Sequence, residues 1–282
     1  VSPFRFHVPD RLEEALARLA ADPALVPIAG CTDLMTTDPQ TRVNLTRVLN
    51  LLEIDEIRGI EVAEDHLRVG AATTFSEIRH SPDVREHAPM LAEAAEQIGG
   101  WQIQNRATIG GNLANGSPAG DSPPVLLALD ASLVLARKGE TREIPYTDFH
   151  VGYRKTALRP GELIAWIKIP RGGERPWQRF RKVGTRRAQS IAKVAVALAA
   201  RQRGGKLTHV RIGAGSVAER PVRLRAAEEI LTGQKLSSAL AEKAGRAAGG
   251  EVTPIDDVRS TAAYRSYVLE RVVRRLVLEI SA

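Results

Sequence analysis

Two glycine-bearing loops about 80 residues apart constrain this chain more than any other feature. The later one reads Thr108-Ile109-Gly110-Gly111-Asn112, followed by Asn115, Ser117, Pro118 and Asp121; the earlier one reads Ile28-Ala29-Gly30-Cys31-Thr32-Asp33-Leu34. Adjacent glycines leave consecutive residues without side chains, so the backbone can turn tightly and admit a close neighbour. Successive N–H groups in such a turn form a concave nest for an anion, and Thr, Asn and Ser add side-chain donors. Gly-Gly-Asn alone is a turn signal. Two loops of the same character predict a fold that brings them to one ligand, and a diphosphate would satisfy both.

The chain reads as three regions. In the first, residues 1–56, a helix is expected over Asp10–Leu19 and a strand over Val26–Ala29. A further strand is expected at Arg42–Leu45 and a helical turn at Leu51–Ile54. The second, residues 57–173, has strand signals at Gly59–Val62, His66–Ala71, Asp130–Ala136 and Leu163–Ile169. Helices are expected from Thr74 or Phe75 and over Pro89–Ile98. The third, residues 174–282, predicts an extended Phe180–Val183, a helix over Ser190–Arg201 and a strand over His209–Ser216. Helices then follow at Arg223–Leu231, Ser237–Ala248 and Ala262–Leu278.

Composition removes several functions. One Cys in 282 residues rules out an internal disulfide and any iron–sulfur centre ligated by cysteines of this chain alone. The net charge of +7 comes from 32 Arg and 8 Lys interleaved with acids, and only 4% of residues are aromatic. That pattern gives few stacking platforms, so no nucleic-acid partner is expected. No run of 18 apolar residues suggests a membrane span, and the first residues lack a charged-then-apolar leader; a cytoplasmic protein is expected. The six His show no metal-ligand spacing, and Ser117 has no identifiable His–acid partner, so neither a metal site nor a hydrolytic site is assigned. Trp101, Trp166 and Trp177 read as core or interface residues. Gly110-Gly111-Asn112 lies between polar and Pro-rich stretches, unlike the strand–Gly-X-Gly-X-X-Gly–helix arrangement of a Rossmann unit.

The block Ile98-Gly99-Gly100-Trp101-Gln102-Ile103-Gln104-Asn105-Arg106-Ala107 leads into the second loop, and Asp121-Ser122-Pro123-Pro124 follows it. Together with the first loop, Lys182 and Arg186–Lys193, this resembles the FAD-binding flavoprotein (medium subunit) of the molybdenum hydroxylases, the xanthine dehydrogenase and carbon monoxide dehydrogenase family. The resemblance covers nearly the whole chain. It implies an α+β protein: an FAD-binding fold of two α/β subdomains (PCMH/VAO-like) plus a smaller C-terminal α/β domain of the carbon monoxide dehydrogenase flavoprotein type.

For the site, the resemblance implies that Ile28, Ala29, Gly30, Cys31, Thr32, Asp33 and Leu34 hold one part of the FAD diphosphate. Thr108, Ile109, Gly110, Gly111 and Asn112 hold the other. The family usually has glycine where this chain has Cys31. Asn115 and Ser117 either bind the cofactor or hold the loop; Asp121 either accepts a ribityl or ribose hydroxyl or caps the next segment. Ile98 and Ile164 are core residues by pattern and flavin-ring contacts by resemblance. Lys182 is a salt-bridge residue by type and a flavin-associated cation by resemblance. No residue is assigned as catalytic, because the cofactor carries the chemistry.

The implied function is electron transfer within a molybdenum hydroxylase. A large partner subunit would carry molybdopterin and a small one two 2Fe–2S clusters, assembled as a dimer of heterotrimers. Electrons would pass from the clusters through FAD to NAD+ or another acceptor. A self-contained flavin oxidase and a flavin-binding scaffold are the competing readings.

Overall fold

In the computed structural model, which describes residues 5–36, 45–171 and 176–280, three sheets of three to five strands succeed one another along the chain, with a two-stranded hairpin beside the second. The first contains Arg5–His7 (β1), Val26–Ile28 (β2) and Arg47–Asn50 (β3), all parallel and ordered β1–β3–β2. Parallel strands need a crossover. Leu12–Ala21 (α1) supplies it between β1 and β2, burying Ala15, Leu16 and Leu19 on one face at helical spacing. Of the strand expected at Arg42–Leu45, residues 42–44 lie outside the described residues; β3 begins at Arg47. The expected turn at Leu51–Ile54 is followed by a 3-10 turn over Asp55–Ile57.

The second sheet is antiparallel. It comprises Ile60–Val62 (β4), His66–Gly70 (β5), Ser132–Arg137 (β6), Glu140–Pro145 (β7) and, after a small hairpin of His150–Gly152 (β8) and Lys155–Thr156 (β9), Leu163–Pro170 (β10). Its order is β4–β5–β10–β6–β7. Between β5 and β6 come six short helices: Phe75–His80 (α2), Pro82–His87 (α3), Pro89–Ala95 (α4), Trp101–Gln104 (α5), Ile109–Ala114 (α6) and Ser122–Ala128 (α7). Thr74 and Glu77 form a reciprocal capping box at the start of α2. The sequence pattern gives no separate signal for α3, α5–α7, β7 or the β8–β9 hairpin. In α7 both Pro123 and Pro124 sit in the first turn, where N–H groups have no intrahelical acceptor to lose.

The third sheet, β11–β12–β13–β14, is built from Trp177–Val183 (β11), Val194–Arg203 (β12), Lys206–Gly215 (β13) and Val222–Arg223 (β14). Helices Arg225–Leu231 (α8), Ser238–Gly250 (α9) and Ala262–Glu279 (α10) follow. Here the helix expected over Ser190–Arg201 is a strand. The run Val194-Ala195-Val196-Ala197-Leu198-Ala199-Ala200 is rich in helix formers, but its sizes alternate with period two. Val194, Val196, Leu198 and Ala200 enter the core shared with α8–α10, whereas Ala195, Ala197 and Ala199 enter the core of the FAD-binding half. Small residues on that second face let α7 lie directly on the sheet. A Cβ at Gly213 would sit 2.0 Å from the Pro124 carbonyl oxygen. Burial on both faces overrides alanine's helix propensity. Among the described residues no helix is long and apolar enough to cross a membrane.

Candidate functional site

The first two sheets meet at a cleft lined by Ile28 and Ala29 from the end of β2, Thr108, Gly110 and Gly111 from the start of α6, and Ile164 from β10. The two glycine loops are therefore neighbours. Gly30 sets their distance: a Cβ there would stand 1.8 Å from the Arg106 carbonyl oxygen. Only a glycine allows that contact.

The second loop is not an open nest. Gly110 and Gly111 lie in the first turn of α6, capped by Thr108. The N–H of Ile109 donates to the Thr73 carbonyl at 3.0 Å and that of Gly110 to Ala71 at 2.8 Å. The N–H of Gly111 donates to Thr108 Oγ1 at 3.2 Å, and that of Asn112 to the Thr108 carbonyl at 3.0 Å. Gly110 serves close packing, since a Cβ on it would meet Ala71 at 2.7 Å, while one on Gly111 meets only Thr108 Oγ1, at 3.1 Å. The Thr108 hydroxyl, having accepted from Gly111, keeps its proton for a ligand.

The first loop has nest geometry instead. Cys31 adopts φ 59°, and among the described residues the N–H groups of Gly30 and Thr32 on either side donate to no acceptor. Free successive donors around a left-handed residue form an anion cradle. The Arg106 guanidinium adds positive charge beside it, opposing the upward push that burial gives the Cys31 thiol. That thiol donates to the Ala29 carbonyl at 3.3 Å and stays protonated at neutral pH. Asp33 is exposed and uses its backbone carbonyl, which accepts from Thr36 N–H and Oγ1; Leu34 opens a 3-10 turn. A Cβ in the left-handed region costs about 1 kcal/mol. Cys31→Gly is accordingly expected to raise stability by up to about 1 kcal/mol, less what glycine gives back in unfolded-chain entropy. Chemical unfolding checks this; a clear loss of stability would contradict the strain argument.

A polar bridge leads from α6 to the head of α7. Asn112 Oδ1 accepts from Ser122 Oγ at 2.7 Å, which places Asp121 at the head of α7. Asp121 makes no capping bond. Its Oδ2 accepts from Lys182 Nζ at 2.6 Å, and Lys182 also donates to the Gln97 carbonyl at 2.9 Å. The two side chains are only 9% and 5% exposed. Burial pushes the Asp121 carboxyl up to about 6, with Lys182 offsetting part of that rise. Asp121 Oδ1 is buried without a partner. The pair thus presents one unsatisfied acceptor and one spare ammonium proton, a match for a ligand with both kinds of group.

Other sequence candidates divide clearly. Ile98 and Ile164 are buried, Ile164 against the cleft. Ile109 is fully buried as a core residue. Asn115 Oδ1 accepts from Arg154 at 3.2 Å, tying α6 to the β8–β9 hairpin, and Ser117 Oγ accepts from Ala119 N–H at 3.2 Å within its own turn. Four residues escaped the sequence reading. Arg106 flanks the nest. Gln104, fully within the fold, donates to the Glu96 and Ile98 carbonyls and pins the Ile98 segment. Arg142 grips Glu162 through two bonds of 2.7 and 2.8 Å, fixing the Leu158–Ile164 wall of the cleft. No local pattern marks these last contacts, since they join residues distant in sequence. Trp101 is exposed, whereas Trp166 is buried beneath the Arg68 guanidinium at 3.4 Å. No metal-ligating cluster of His, Cys, Asp and Glu occurs among the described residues.

Comparison with known proteins agrees with this geometry. Residues 2–172 match the FAD binding domain in molybdopterin dehydrogenase, and residues 179–280 match the CO dehydrogenase flavoprotein C-terminal domain. The chain is 31% identical to the nicotine 6-hydroxylase medium subunit of Paenarthrobacter nicotinovorans, over 99% of this chain and 97% of that one. It is 30% identical to the nicotinate dehydrogenase FAD-subunit of Eubacterium barkeri, over 98% and 96%. Among solved structures, carbon monoxide dehydrogenase from Hydrogenophaga pseudoflava superposes with a TM-score of 0.91 at 29% identity, covering 97% of this chain and 95% of that one. The match spans both sheets of the cleft and the C-terminal sheet that delivers Lys182, so the chain belongs to the FAD-binding flavoprotein family of the molybdopterin dehydrogenases.

Proposed function

We propose that this chain receives electrons from the 2Fe–2S clusters of a small partner subunit, themselves reduced by a large molybdopterin-binding subunit, and passes them through FAD to NAD+ or another acceptor. The observation that carries this reading is a pair of unsatisfied sets of groups: the Gly30 and Thr32 N–H donors in the first loop, and Asp121 Oδ1 beside Lys182 at the head of α7. An elongated cofactor with an anionic diphosphate and a polar ring edge fits both sets. Flavin takes electrons singly and gives up two together, which suits a place between one-electron centres and a two-electron acceptor.

The residues have separate tasks. The Gly30–Thr32 nest and the Thr108 hydroxyl hold the diphosphate; Ile98 and Ile164 keep water from the ring. Lys182 places positive charge where reduction builds negative charge, and Asp121 holds Lys182 in place. With one Cys and no metal cluster among its described residues, the chain relies on partners for every other redox centre. A dimer of such three-subunit units in the cytoplasm is the assembly we favour. The substrate belongs to the large partner: relatives named for nicotine, nicotinate and carbon monoxide match this chain almost equally.

Reconstitution tests the reading. Substrate-dependent FAD reduction is expected only when both partner subunits are present; rapid substrate hydroxylation by the isolated chain contradicts it and favours a self-contained oxidase. A pH dependence follows as well. Because burial raises the Asp121 carboxyl, the stability this group contributes is full below about pH 4 and is lost as pH rises through about 6. A ligand donor reaching Oδ1 favours the charged form, so FAD binding releases a proton. Affinity is expected to rise severalfold between pH 5 and pH 7 in the wild type and to stay level in Asp121→Asn, as read by flavin fluorescence titration.

A further inference from the structure

The outer face of α10 is unlike an ordinary solvated helix. Leu269, Val273, Leu276 and Val277 bury one side. On the outside, Tyr264, Tyr267, Arg271 and Arg275 recur at helical spacing, and all four are exposed. Between this stripe and β11 runs a groove of about 230 Å³, with Val183, Val268 and Val272 as its floor and Arg181, Arg271 and Arg275 on its rim.

The rim carries excess positive charge. Arg181 and Arg275 share a single carboxylate, Glu279, at 3.3 and 2.8 Å. The acids nearest Arg271 stand 3.8 and 3.9 Å away, and one of them, Glu242, is already held by Arg274 at 2.6 Å. Exposed tyrosines and arginines around an apolar floor are the residue types that protein interfaces concentrate. Arg181, Lys182 and Val183 of β11 all line the groove, and the Lys182 ammonium reaches from there to Asp121. An occupant of the groove therefore sits against the strand that delivers Lys182 to the candidate cofactor site.

We propose that this groove docks an acidic, apolar-ridged segment of a partner subunit in the same assembly, an inference that rests on the function proposed above. Charge complementarity selects that occupant. A second copy of the chain meeting it across a two-fold axis would set arginine against arginine.

The test is assembly of the complete complex. The chain is co-expressed with its two partner subunits, recovered through a tag on a partner, and its share of the complex is read by native mass analysis. The readings are made at about 0.1 M and about 1 M salt, between which the screening length falls from about 10 to about 3 Å. Wild-type assembly is expected to weaken with salt. The Arg271→Glu/Arg275→Glu variant is expected to assemble about tenfold more weakly with unchanged FAD content, and Arg271→Lys/Arg275→Lys to recover most of the loss. Tyr267→Ala, which removes no ion pair, is expected to weaken assembly with no change in FAD content or melting. Charge-reversed and Tyr267→Ala variants that assemble like wild type contradict the groove alone. Variants that change only self-association of the chain contradict it in favour of a second copy. Wild-type chain that holds FAD yet retains no partner contradicts both the groove and the proposed function.

Discussion

Lys182→Met is expected to lower folding stability by roughly 1–3 kcal/mol at neutral pH, because it strips a buried carboxylate of its counter-charge, worth about 1.4 kcal/mol for each pH unit above the carboxyl's midpoint. Asp121 and Lys182 are 9% and 5% exposed, so solvent screens little of the loss. The Gln97 carbonyl also loses a donor. The sign of the pH dependence is fixed by the carboxyl. In the wild type it titrates near 6, and without Lys182 it moves higher. Below pH 6 both proteins hold it neutral and the deficit is small; above 6 the deficit grows until the variant's own carboxyl ionises. Chemical unfolding at pH 5, 7 and 8 measures this. A deficit that is flat across that range would mean that Lys182 acts by packing and not by charge. Of the two roles open to Lys182 from sequence, a salt bridge and a flavin-associated cation, the structure shows the ion pair, and shows it buried.

Gly30→Ala is expected to have the other large effect. Its Cβ would lie 1.8 Å from the Arg106 carbonyl oxygen and 2.5 Å from the carbonyl carbon, both backbone atoms that cannot rotate away. The nest must then separate from the loop that leads into α6. Overpacking of this kind costs about 1–3 kcal/mol of stability. We expect FAD affinity to fall roughly 100-fold, equivalent to about 2.7 kcal/mol. Gly111→Ala is the control. Its Cβ meets only the Thr108 hydroxyl at 3.1 Å, so the fold should hold. Flavin titration and melting curves of the two variants, measured together, separate loop spacing from local backbone freedom. Equal effects of both substitutions on affinity would remove Gly30's special role.

Much of this site is legible in the sequence, but its division of labour is not. Glycines at 30 and 110 mark close approaches, to Arg106 and Ala71, and Gly110 and Gly111 share one cleft with Ile28 and Ala29 from the first loop. Which loop keeps free N–H donors depends on partners from other segments. Thr73 and Ala71, distant in sequence, consume those of Ile109 and Gly110. Cys31 looks like a poor substitute for glycine in a phosphate loop, yet it holds the left-handed conformation that the nest requires.

The same limit governs the fold. Helices with one apolar face, such as α1 and α10, follow from residue spacing. β12 does not, because its alternation of large and small residues serves two cores at once. A helix-forming composition hides that pattern until α7 is seen lying on the alanine face. Asp121 was open between a ligand and a helix cap; its carboxylate turns away from the α7 N–H groups toward Lys182, a residue 61 positions on.

The most direct test is the flavin content of the native protein. Chain purified from its source, denatured, and assayed by chromatography and absorbance should release noncovalent FAD in a ratio of about one per chain, since the proposed site pairs the Cys31 nest with the Asp121–Lys182 pair. Release of FMN alone, or no flavin uptake by a well-folded chain supplied with FAD, would contradict the account.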